Sequence, residues 1–231
     1  MNLTGFLPSL NSDQITKLES LADVFLEWNQ KMNLSAIRDR DAVLLKHIVD
    51  SLLILPHGWI KDGDRVMDLG TGGGFPGLPL AIAYPKADFI LVDATEKKVR
   101  AVQSMADQLG LKNVRCVAGR AEQLGRVDKY RETFDVVVAR ALAEFPTLLE
   151  YCLPFVKVGG KFIAYQGPEL SQTWKQYQNV ALELSGDITE VKGAILPVEK
   201  AKRCFVVVKK LRKIFGKYPR RTGVPKKEPL G

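Results

Sequence analysis

From Arg65 onward, short apolar runs rich in β-branched residues alternate with helical stretches. The runs predict strands at residues 66–69, 89–93, 114–117, 134–139 and 161–165. Helical patterns lie between them near residues 76–83, 97–109, 145–156 and 169–184. Continuous apolar strands separated by helices are typical of a parallel sheet with both faces covered. The sequence therefore predicts an α/β fold.

The two ends of the chain follow other patterns. Strand-like runs at residues 188–196 and 203–210 have no helix between them, which predicts an antiparallel hairpin at one end of the sheet. The first 60 or so residues are helical instead, with apolar residues recurring every three or four positions from an expected N-cap at Ser12. A second helical pattern covers roughly residues 41–55 and stops at Pro56.

A chain of 231 residues can form one domain, or one domain with an appendage. We expect a helical segment at residues 1–60, packed on a core at residues 61–215. The last part, residues 216–231, is rich in proline, glycine and basic residues and lacks apolar periodicity. We expect it to be a mobile basic tail.

The net charge of +8 is unevenly distributed. Residues 200–231 contain twelve basic residues and one acidic residue, so the rest of the chain is slightly acidic. A clustered basic segment suggests a polyanionic partner, with nucleic acid first, although a solubilising tail explains the charge equally well.

Several classes are excluded by composition. The three scattered cysteines form no CxxC pair, which excludes a disulfide framework or a cysteine-built zinc site and fits a reducing cytosol. No metal site is expected. The N-terminus lacks the features of a secretion signal, and no apolar run approaches the ~18 residues of a membrane span. We expect a cytoplasmic protein without a membrane partner.

Residues 66–77 read Val-Met-Asp-Leu-Gly-Thr-Gly-Gly-Gly-Phe-Pro-Gly, a strand entering a glycine-rich turn before a helix. Such a turn is typical of a nucleotide-type site at the carboxyl edge of a sheet. The spacing of Gly72, Gly74 and Gly77 matches a dinucleotide pattern, which is weak evidence alone. Pro76 removes an amide that could bind a pyrophosphate, and a carboxylate at Asp68 would repel one.

Asp68 would instead favour a ligand with an ammonium group, such as the methionine part of S-adenosylmethionine. Asp68, Gly70, Gly72 and Gly74 fit the loop of the seven-stranded methyltransferases that bind this cofactor. Asp93 ends the next predicted strand, where a carboxylate can bind ribose hydroxyls of either cofactor or cap the following helix. The antiparallel hairpin favours methyl transfer over hydride transfer.

The identity of the methyl acceptor is constrained by the absence of two motifs that methyltransferases use for particular acceptors. After the fourth strand it has Ala-Arg-Ala-Leu-Ala-Glu from Ala139, and not the Asn/Asp-Pro-Pro-aromatic loop used to methylate exocyclic amines. Cys116 and Cys152 fit a strand and a helix face, and neither suggests the nucleophile that carbon methylation of a pyrimidine needs. A purine ring nitrogen with a free lone pair needs only positioning and a favourable field, so it remains a possible acceptor.

The chain resembles the bacterial small-subunit rRNA guanine-N7 methyltransferases, historically called glucose-inhibited division protein B. The matching blocks span nearly the whole chain: Trp28 to Ile37, His47 to Leu52, Asp68 to Gly77, Gly119 to Glu122, Val138 to Ala141 and Tyr218 to Leu230. The resemblance implies a seven-stranded, Rossmann-like methyltransferase fold with an N-terminal helical extension. It also implies methylation of a guanine in the decoding-region hairpin of 16S rRNA, with S-adenosylmethionine as donor and the rRNA or the small ribosomal subunit as partner.

The resemblance also assigns residues. Gly70 and Phe75 would line the methionine side, and Arg140 would face the methyl-transfer pocket. The ribose and adenine would meet Asp93, Ala94, Thr95, Ala121 and Glu122. RNA contacts are expected from Asn33, His47, Asp50, Arg220 and Arg221, of which Asn33 could equally be a helix C-cap and His47 and Asp50 a local pair. No catalytic residue is assigned.

One departure from the family pattern is Gln166-Gly167, where the family usually has Lys-Gly. Two further functions stay open: an NAD-dependent oxidoreductase, and an RNA-binding module with a degenerate cofactor site. The expected oligomeric state is a monomer.

Overall fold

A seven-stranded sheet forms the centre of the molecule, in a computed structural model that describes residues 1–231. The strands are β1 Arg65–Leu69, β2 Asp88–Asp93, β3 Val114–Ala118, β4 Phe134–Arg140, β5 Val156–Gln166, β6 Gly186–Leu196 and β7 Ala201–Lys210. Their order is β3-β2-β1-β4-β5-β7-β6. β1 to β5 are parallel, whereas β7 pairs antiparallel with both β5 and β6. The predicted α/β sheet with an antiparallel hairpin at one end is confirmed.

Ten α-helical elements surround the sheet. They are α1 Ser12–Met32, α2 Arg40–Val43, α3 Asp50–Leu52, α4 Gly77–Ala83, α5 Glu96–Gln108, α6 Ala121–Leu124, α7 Phe145–Cys152, α8 Leu170–Thr173, α9 Gln178–Glu183 and α10 Val224–Lys227. A π-helical segment, Leu44–Val49, joins α2 to α3. None of the helices has the length and apolar character required to cross a membrane.

The N-cap of α1 is Asn11, one residue before the predicted Ser12. Asn11 and Gln14 form a reciprocal capping box, because each side chain bonds to the backbone N–H of the other residue. The Gln14 side chain also donates to the carbonyls of Ile82 and Ala83 at the end of α4. The start of α1 is therefore tied both to itself and to the core.

Each face of the sheet has its own hydrophobic cluster. Alternate residues of β4 point to opposite faces, so Val136 and Val138 join one cluster while Val137 and Ala139 join the other. The first cluster contains the apolar side chains of the N-terminal helices and of α4. The second contains those of α7, α9 and the C-terminal Tyr218. The N-terminal helices thus cover one face of the sheet.

The C-terminal residues differ from the expectation of a mobile tail, because they follow a defined path against α7. Tyr218 is buried, and the Arg220 side chain pairs with the buried Glu150. The two partners of that pair are 70 residues apart, so no local sequence pattern could indicate their contact.

Candidate cofactor and acceptor site

The backbone between β1 and α4 turns sharply, and nearly all its amides are hydrogen bonded within the protein. The N–H groups of Gly70 and Thr71 both donate to the Val92 carbonyl, at 2.8 and 2.9 Å. Further internal bonds are donated by the amides of Gly72, Gly74, Phe75, Gly77 and Leu78. Only Gly73 keeps a free N–H, and Pro76 has none. The turn therefore lacks the group of free amides that a dinucleotide pyrophosphate needs at a helix N-terminus.

Asp68 lies behind this turn and lines none of the three cavities described below, in contrast to the expectation that it faces a ligand. It is fully buried, and its Oδ2 accepts the Gly77 N–H at 2.8 Å while Oδ1 has no hydrogen-bond partner. Burial raises the pKa of Asp68 to about 6. A Cβ at position 77 would lie 2.7 Å from Oδ2, so the glycine allows the turn to close over the carboxylate.

Asp93 ends β2 and holds the turn from its other side. Its Oδ2 accepts the Gly72 N–H at 3.1 Å, and its Oδ1 accepts the N–H of Thr95, the N-cap of α5, at 2.8 Å. The side chain is only partly buried and lines two adjoining cavities. Asp93 thus fixes the residue before α5 without capping the helix, whose N-cap Thr95 has no side-chain cap bond, and its carboxylate remains accessible to a ligand.

Three cavities form a continuous groove along the carboxyl edge of the sheet. The β2 cavity, of about 210 Å³, is lined by residues that include Gly70, Asp93, Ala94, Arg120, Ala121, Glu122, Leu142, Tyr151 and Lys226. The loop cavity, of about 310 Å³, shares Gly70, Asp93 and Leu142 with it and adds Ser35, His47, Gly72, Phe75, Lys98 and Arg140 among others. The β4 cavity, of about 430 Å³, shares His47, Arg140 and Ala141 with the loop cavity and adds Lys46, Asp50, Tyr165, Gln166 and Arg203 among others.

Gly70 determines how closely the turn packs against the side chain of Leu142. Its φ of +80° favours glycine, and a Cβ there would lie 2.6 Å from Cδ1 of Leu142, which follows β4. Leu142 is 37% exposed and lines both the β2 and loop cavities. A larger residue at position 70 would displace Leu142, so the glycine keeps the turn packed against an apolar side chain that lines both cavities.

Two arginines meet one buried carboxylate in the β4 cavity. Asp50 Oδ2 accepts from Nη1 of Arg140 at 2.8 Å, and Asp50 Oδ1 accepts from Nε of Arg203 at 2.6 Å. The pair with Arg140 links the end of β4 to α3, and the pair with Arg203 brings in β7. With Lys46 at the rim, the side chains of this cavity carry a net positive charge.

His47 separates the loop cavity from the β4 cavity. Its ring stacks on Phe75 at 4.7 Å between centroids, and its Nε2 lies 2.9 Å from the Ser35 hydroxyl. Burial, and then the positive charge of Arg140, lower the pKa of His47 to about 4. The imidazole is therefore neutral near pH 7 and carries no charge into the groove.

The groove brings together most of the residues predicted from the sequence. Those that line it are Gly70, Gly72, Phe75, Asp93, Ala94, Ala121, Glu122, Arg140, His47 and Asp50. Asp68 lies behind the turn, Gly74 belongs to it without lining the groove, Thr95 is the exposed N-cap of α5, and Asn33 is the left-handed C-cap of α1. Arg220 pairs with Glu150, and the exposed Arg221 does not line the groove.

Other residues of the groove were missed by sequence reasoning. Ser35 and Lys226 lie inside blocks that carry the family resemblance, so their neighbours already provided a signal. Arg203, Tyr165 and Tyr151 carried none, because each comes to the groove from a strand or helix whose pattern indicates only packing. No group of three or more His, Cys, Asp or Glu side chains is arranged to hold a metal ion.

Comparison with protein families gives a match over most of the chain. The family model described as GidB, rRNA small subunit methyltransferase G, matches residues 14–198. A ribosomal RNA small subunit methyltransferase G from Acetivibrio thermocellus is 44% identical over 98% of this chain and 93% of its own. The protein of the same name from Alkaliphilus metalliredigens is 40% identical, over 96% of this chain and 92% of its own.

Solved structures share the fold at low identity. A SAM-dependent methyltransferase from Methanosarcina mazei aligns with a TM-score of 0.51 and 14% identity over 69% of this chain and 98% of its own. The YcgJ protein from Bacillus subtilis aligns with a TM-score of 0.53 and 16% identity over 71% of this chain and 98% of its own. These two similarities concern the fold alone.

Proposed function

The chain belongs to the GidB family of rRNA small subunit methyltransferases G, and on that basis we propose that it methylates N7 of a guanine in the decoding-region hairpin of 16S rRNA. S-adenosylmethionine is the proposed methyl donor. The partner is the 16S rRNA, free or within the small ribosomal subunit, and the enzyme works as a monomer in the cytoplasm, where bacterial rRNA is found. Residues 1–60, 61–215 and 216–231 serve as N-terminal helical segment, methyltransferase core and basic C-terminal end.

The continuity of the groove carries this proposal. The β2 and loop cavities share Gly70 and Asp93, and the loop and β4 cavities share His47 and Arg140. A donor lying along the first two cavities would therefore end beside a third, positively charged one. That arrangement suits transfer of a group between a nucleoside cofactor and a polyanionic acceptor.

The residues of the first two cavities fit S-adenosylmethionine better than a dinucleotide. Asp93 provides a carboxylate for ribose hydroxyls, Ala121 and Glu122 flank the outer end, and Phe75 lies toward the β4 cavity. The turn has a single free amide, that of Gly73, and not the group that a pyrophosphate needs, which argues against NAD. When bound, S-adenosylmethionine supplies an activated methyl group at a sulfonium.

The β4 cavity suits an acceptor that needs no base. N7 of guanine has a lone pair and no proton, so methyl transfer would form the N–C bond, break the S–C bond of the sulfonium donor, and require no proton removal. The lowered pKa of His47, about 4, makes its imidazole a weak base, and both oxygens of Asp50 are paired with arginines. Burial raises the pKa of Cys116 to about 12 and that of Cys152 well above its ordinary value, so neither provides a thiolate for attack on a pyrimidine carbon.

The first experiment tests the cofactor. Titration calorimetry of the full-length protein should detect binding of S-adenosylmethionine and none of NAD at the same concentration. Tight NAD binding without S-adenosylmethionine binding would favour the oxidoreductase. A protein that binds neither but retains RNA would be the RNA-binding module.

The second experiment tests the substrate. In a strain that lacks this gene, primer extension or mass spectrometry of 16S rRNA should show the loss of one N7-methylguanine, restored by the wild-type gene. If every guanine-N7 modification of 16S rRNA persists in the deletion strain, the proposed substrate is wrong.

A further inference from the structure

The C-terminal residues 218–228, here called the strap, run antiparallel to α7 toward the groove. Arg220 lies beside Glu150 near the end of α7, and the Pro225 carbonyl accepts from the Thr147 hydroxyl near its start, at 3.1 Å. The Arg220 guanidinium forms a bidentate pair with the buried Glu150 carboxylate, at 2.7 to 3.0 Å. The strap is therefore anchored by a buried, charge-assisted contact.

The strap reaches the groove at the β2 cavity. The Gly223 N–H donates to Oε1 of Glu122 at 2.8 Å, and Glu122 is buried. Lys226, on the short helix α10 of the strap, lines the same cavity as Asp93 and Glu122. One wall of this cavity thus comes from the strap, and another, at Glu122, is held in place by it.

The charged groups at this cavity indicate why the hydrogen bond between Gly223 and Glu122 matters. Glu122 forms no ion pair; the Gly223 amide donates to its Oε1, and the Tyr151 side chain lies beside the same carboxylate. Removal of the Gly223 donor takes away one of the contacts that orient this buried carboxylate. Lys226 provides an ammonium group, which can donate to the ring nitrogens or the ribose oxygens of a nucleoside.

We propose that the strap is part of the cofactor site, with Lys226 as a nucleoside-contacting residue and the Arg220–Glu150 pair as the positioning contact that holds Glu122 and Lys226 at the cavity. This inference rests on the proposed function, since it takes the β2 cavity as the nucleoside end of the S-adenosylmethionine site.

The contact of Lys226 is tested by calorimetric titration of the full-length protein with S-adenosylmethionine in the absence of RNA. The variant Lys226→Ala should raise Kd about tenfold, the effect of losing one good polar contact, and Lys226→Arg should restore part of the affinity. The matched control is Lys227→Ala, because Lys227 is exposed on the same helix and does not line the cavity. Equal affinity of Lys226→Ala and the wild type would overturn the contact.

The positioning contact is tested away from the cavity with Glu150→Gln, which keeps the size of the side chain and removes its charge. KM for S-adenosylmethionine should rise about tenfold while kcat and KM for RNA stay unchanged, and the charge-matched control Glu27→Gln on α1 should behave like the wild type. Hydrogen exchange gives a second measurement: cofactor should protect the Gly223 amide in the wild type and less so in Glu150→Gln.

Two failures can be told apart. If the wild type does not bind S-adenosylmethionine, the proposed function fails. If the wild type binds it and Glu150→Gln binds it equally well, with equal protection of Gly223, the positioning role is wrong and the proposed function stands. Circular dichroism establishes that Glu150→Gln folds, and if it does not, Arg220→Lys tests the same pair with its charge preserved.

Discussion

At the scale of single residues, Asp50 explains how two arginines can lie side by side in the β4 cavity. Each guanidinium takes a different oxygen of one buried carboxylate, so their mutual repulsion is reduced and both are held in fixed positions. Arg140 also lies 5.8 Å from the centre of the Phe75 ring, toward the loop cavity. The pairing leaves a net positive charge at the point where the acceptor would approach.

Loss of Arg203 should therefore affect the acceptor and not the cofactor. In Arg203→Ala, Asp50 loses one partner and Arg140 can shift, so kcat/KM for RNA should fall roughly 10- to 100-fold, as expected for a displacement of about 1 Å in a transfer site. Affinity for S-adenosylmethionine should stay within twofold of the wild type. Methylation kinetics and calorimetry measure the two quantities, with the exposed neighbour substitution Lys202→Ala as the control. An unchanged kcat/KM would exclude this role.

Asp68 makes a prediction about stability and pH. Burial raises its pKa to about 6, so between pH 4 and 6 the folded state holds a proton that the unfolded state has released. This carboxyl group therefore lowers the free energy of unfolding as the pH rises from about 4 to about 6, by about 3 kcal/mol in total, and the loss persists above pH 6. In Asp68→Asn that pH dependence disappears.

The measurement is urea unfolding of both proteins at several pH values. The free energy of unfolding of Asp68→Asn relative to the wild type should increase between pH 4 and 7, whatever constant cost the amide adds. A difference that does not change with pH would show that Asp68 titrates in its ordinary range.

At the scale of elements, the sequence correctly predicted the features that a local pattern of residues determines, namely the strands and the glycine turn. The β-branched runs indicated the strands, and the glycine turn after β1 was found because it requires several glycines close together. Contacts between distant segments were not predictable in this way. Arg203 and Asp50 are 153 residues apart, and each belongs to an element whose pattern reflects packing. The predicted site was therefore nearly complete around the turn and incomplete at β7 and the strap.

The end of β7 provides an element-scale prediction. Lys210 is fully buried, and its Nζ donates to the carbonyls of Leu153 and Val156 at 2.6 and 3.1 Å and lies 3.0 Å from Oε1 of Glu132. That same oxygen accepts the N–H of Ile214. Burial lowers the pKa of Lys210 to about 8, so the ammonium is still mostly charged at pH 7. The network ties the end of β7 to the start of β5, to the loop before β4 and to the segment that follows β7.

In Lys210→Met, two carbonyls and a carboxylate lose their common donor. The free energy of unfolding should fall by about 3–5 kcal/mol, the usual cost of removing one partner of a buried ion pair. Adding Glu132→Gln to Lys210→Met should cost less than Glu132→Gln alone, because the unpaired carboxylate is then gone. Urea unfolding of the four proteins at pH 7 measures the coupling, and additive effects would contradict a shared network.

At the scale of the whole molecule, the structure changes how the net charge should be understood. Four of the twelve basic residues in 200–231 form ion pairs: Arg203, Lys210, Lys217 and Arg220. The other eight are exposed and have no carboxylate partner. Part of the basic C-terminal end therefore stabilises the fold, and the unpaired residues other than Lys226, which lines the β2 cavity, are available to the phosphates of RNA.

RNA affinity should consequently depend on salt through the unpaired cations. Each lost phosphate contact reduces the slope of log affinity against log salt concentration by about 0.7–0.9. We therefore expect the triple variant Arg212→Gln, Lys213→Gln, Arg221→Gln to bind 16S rRNA with a slope smaller by about 2–3 than the wild type, and to bind S-adenosylmethionine normally. The charge-matched control replaces Lys17, Lys31 and Lys112, which are exposed on the body of the protein, and should keep the wild-type slope.

Filter binding between 50 and 300 mM salt, roughly the range over which such contacts are lost, gives the slopes. Equal slopes for all three proteins would mean that the charge of the C-terminal end keeps the protein in solution without contacting RNA, because only a phosphate contact releases counterions on binding.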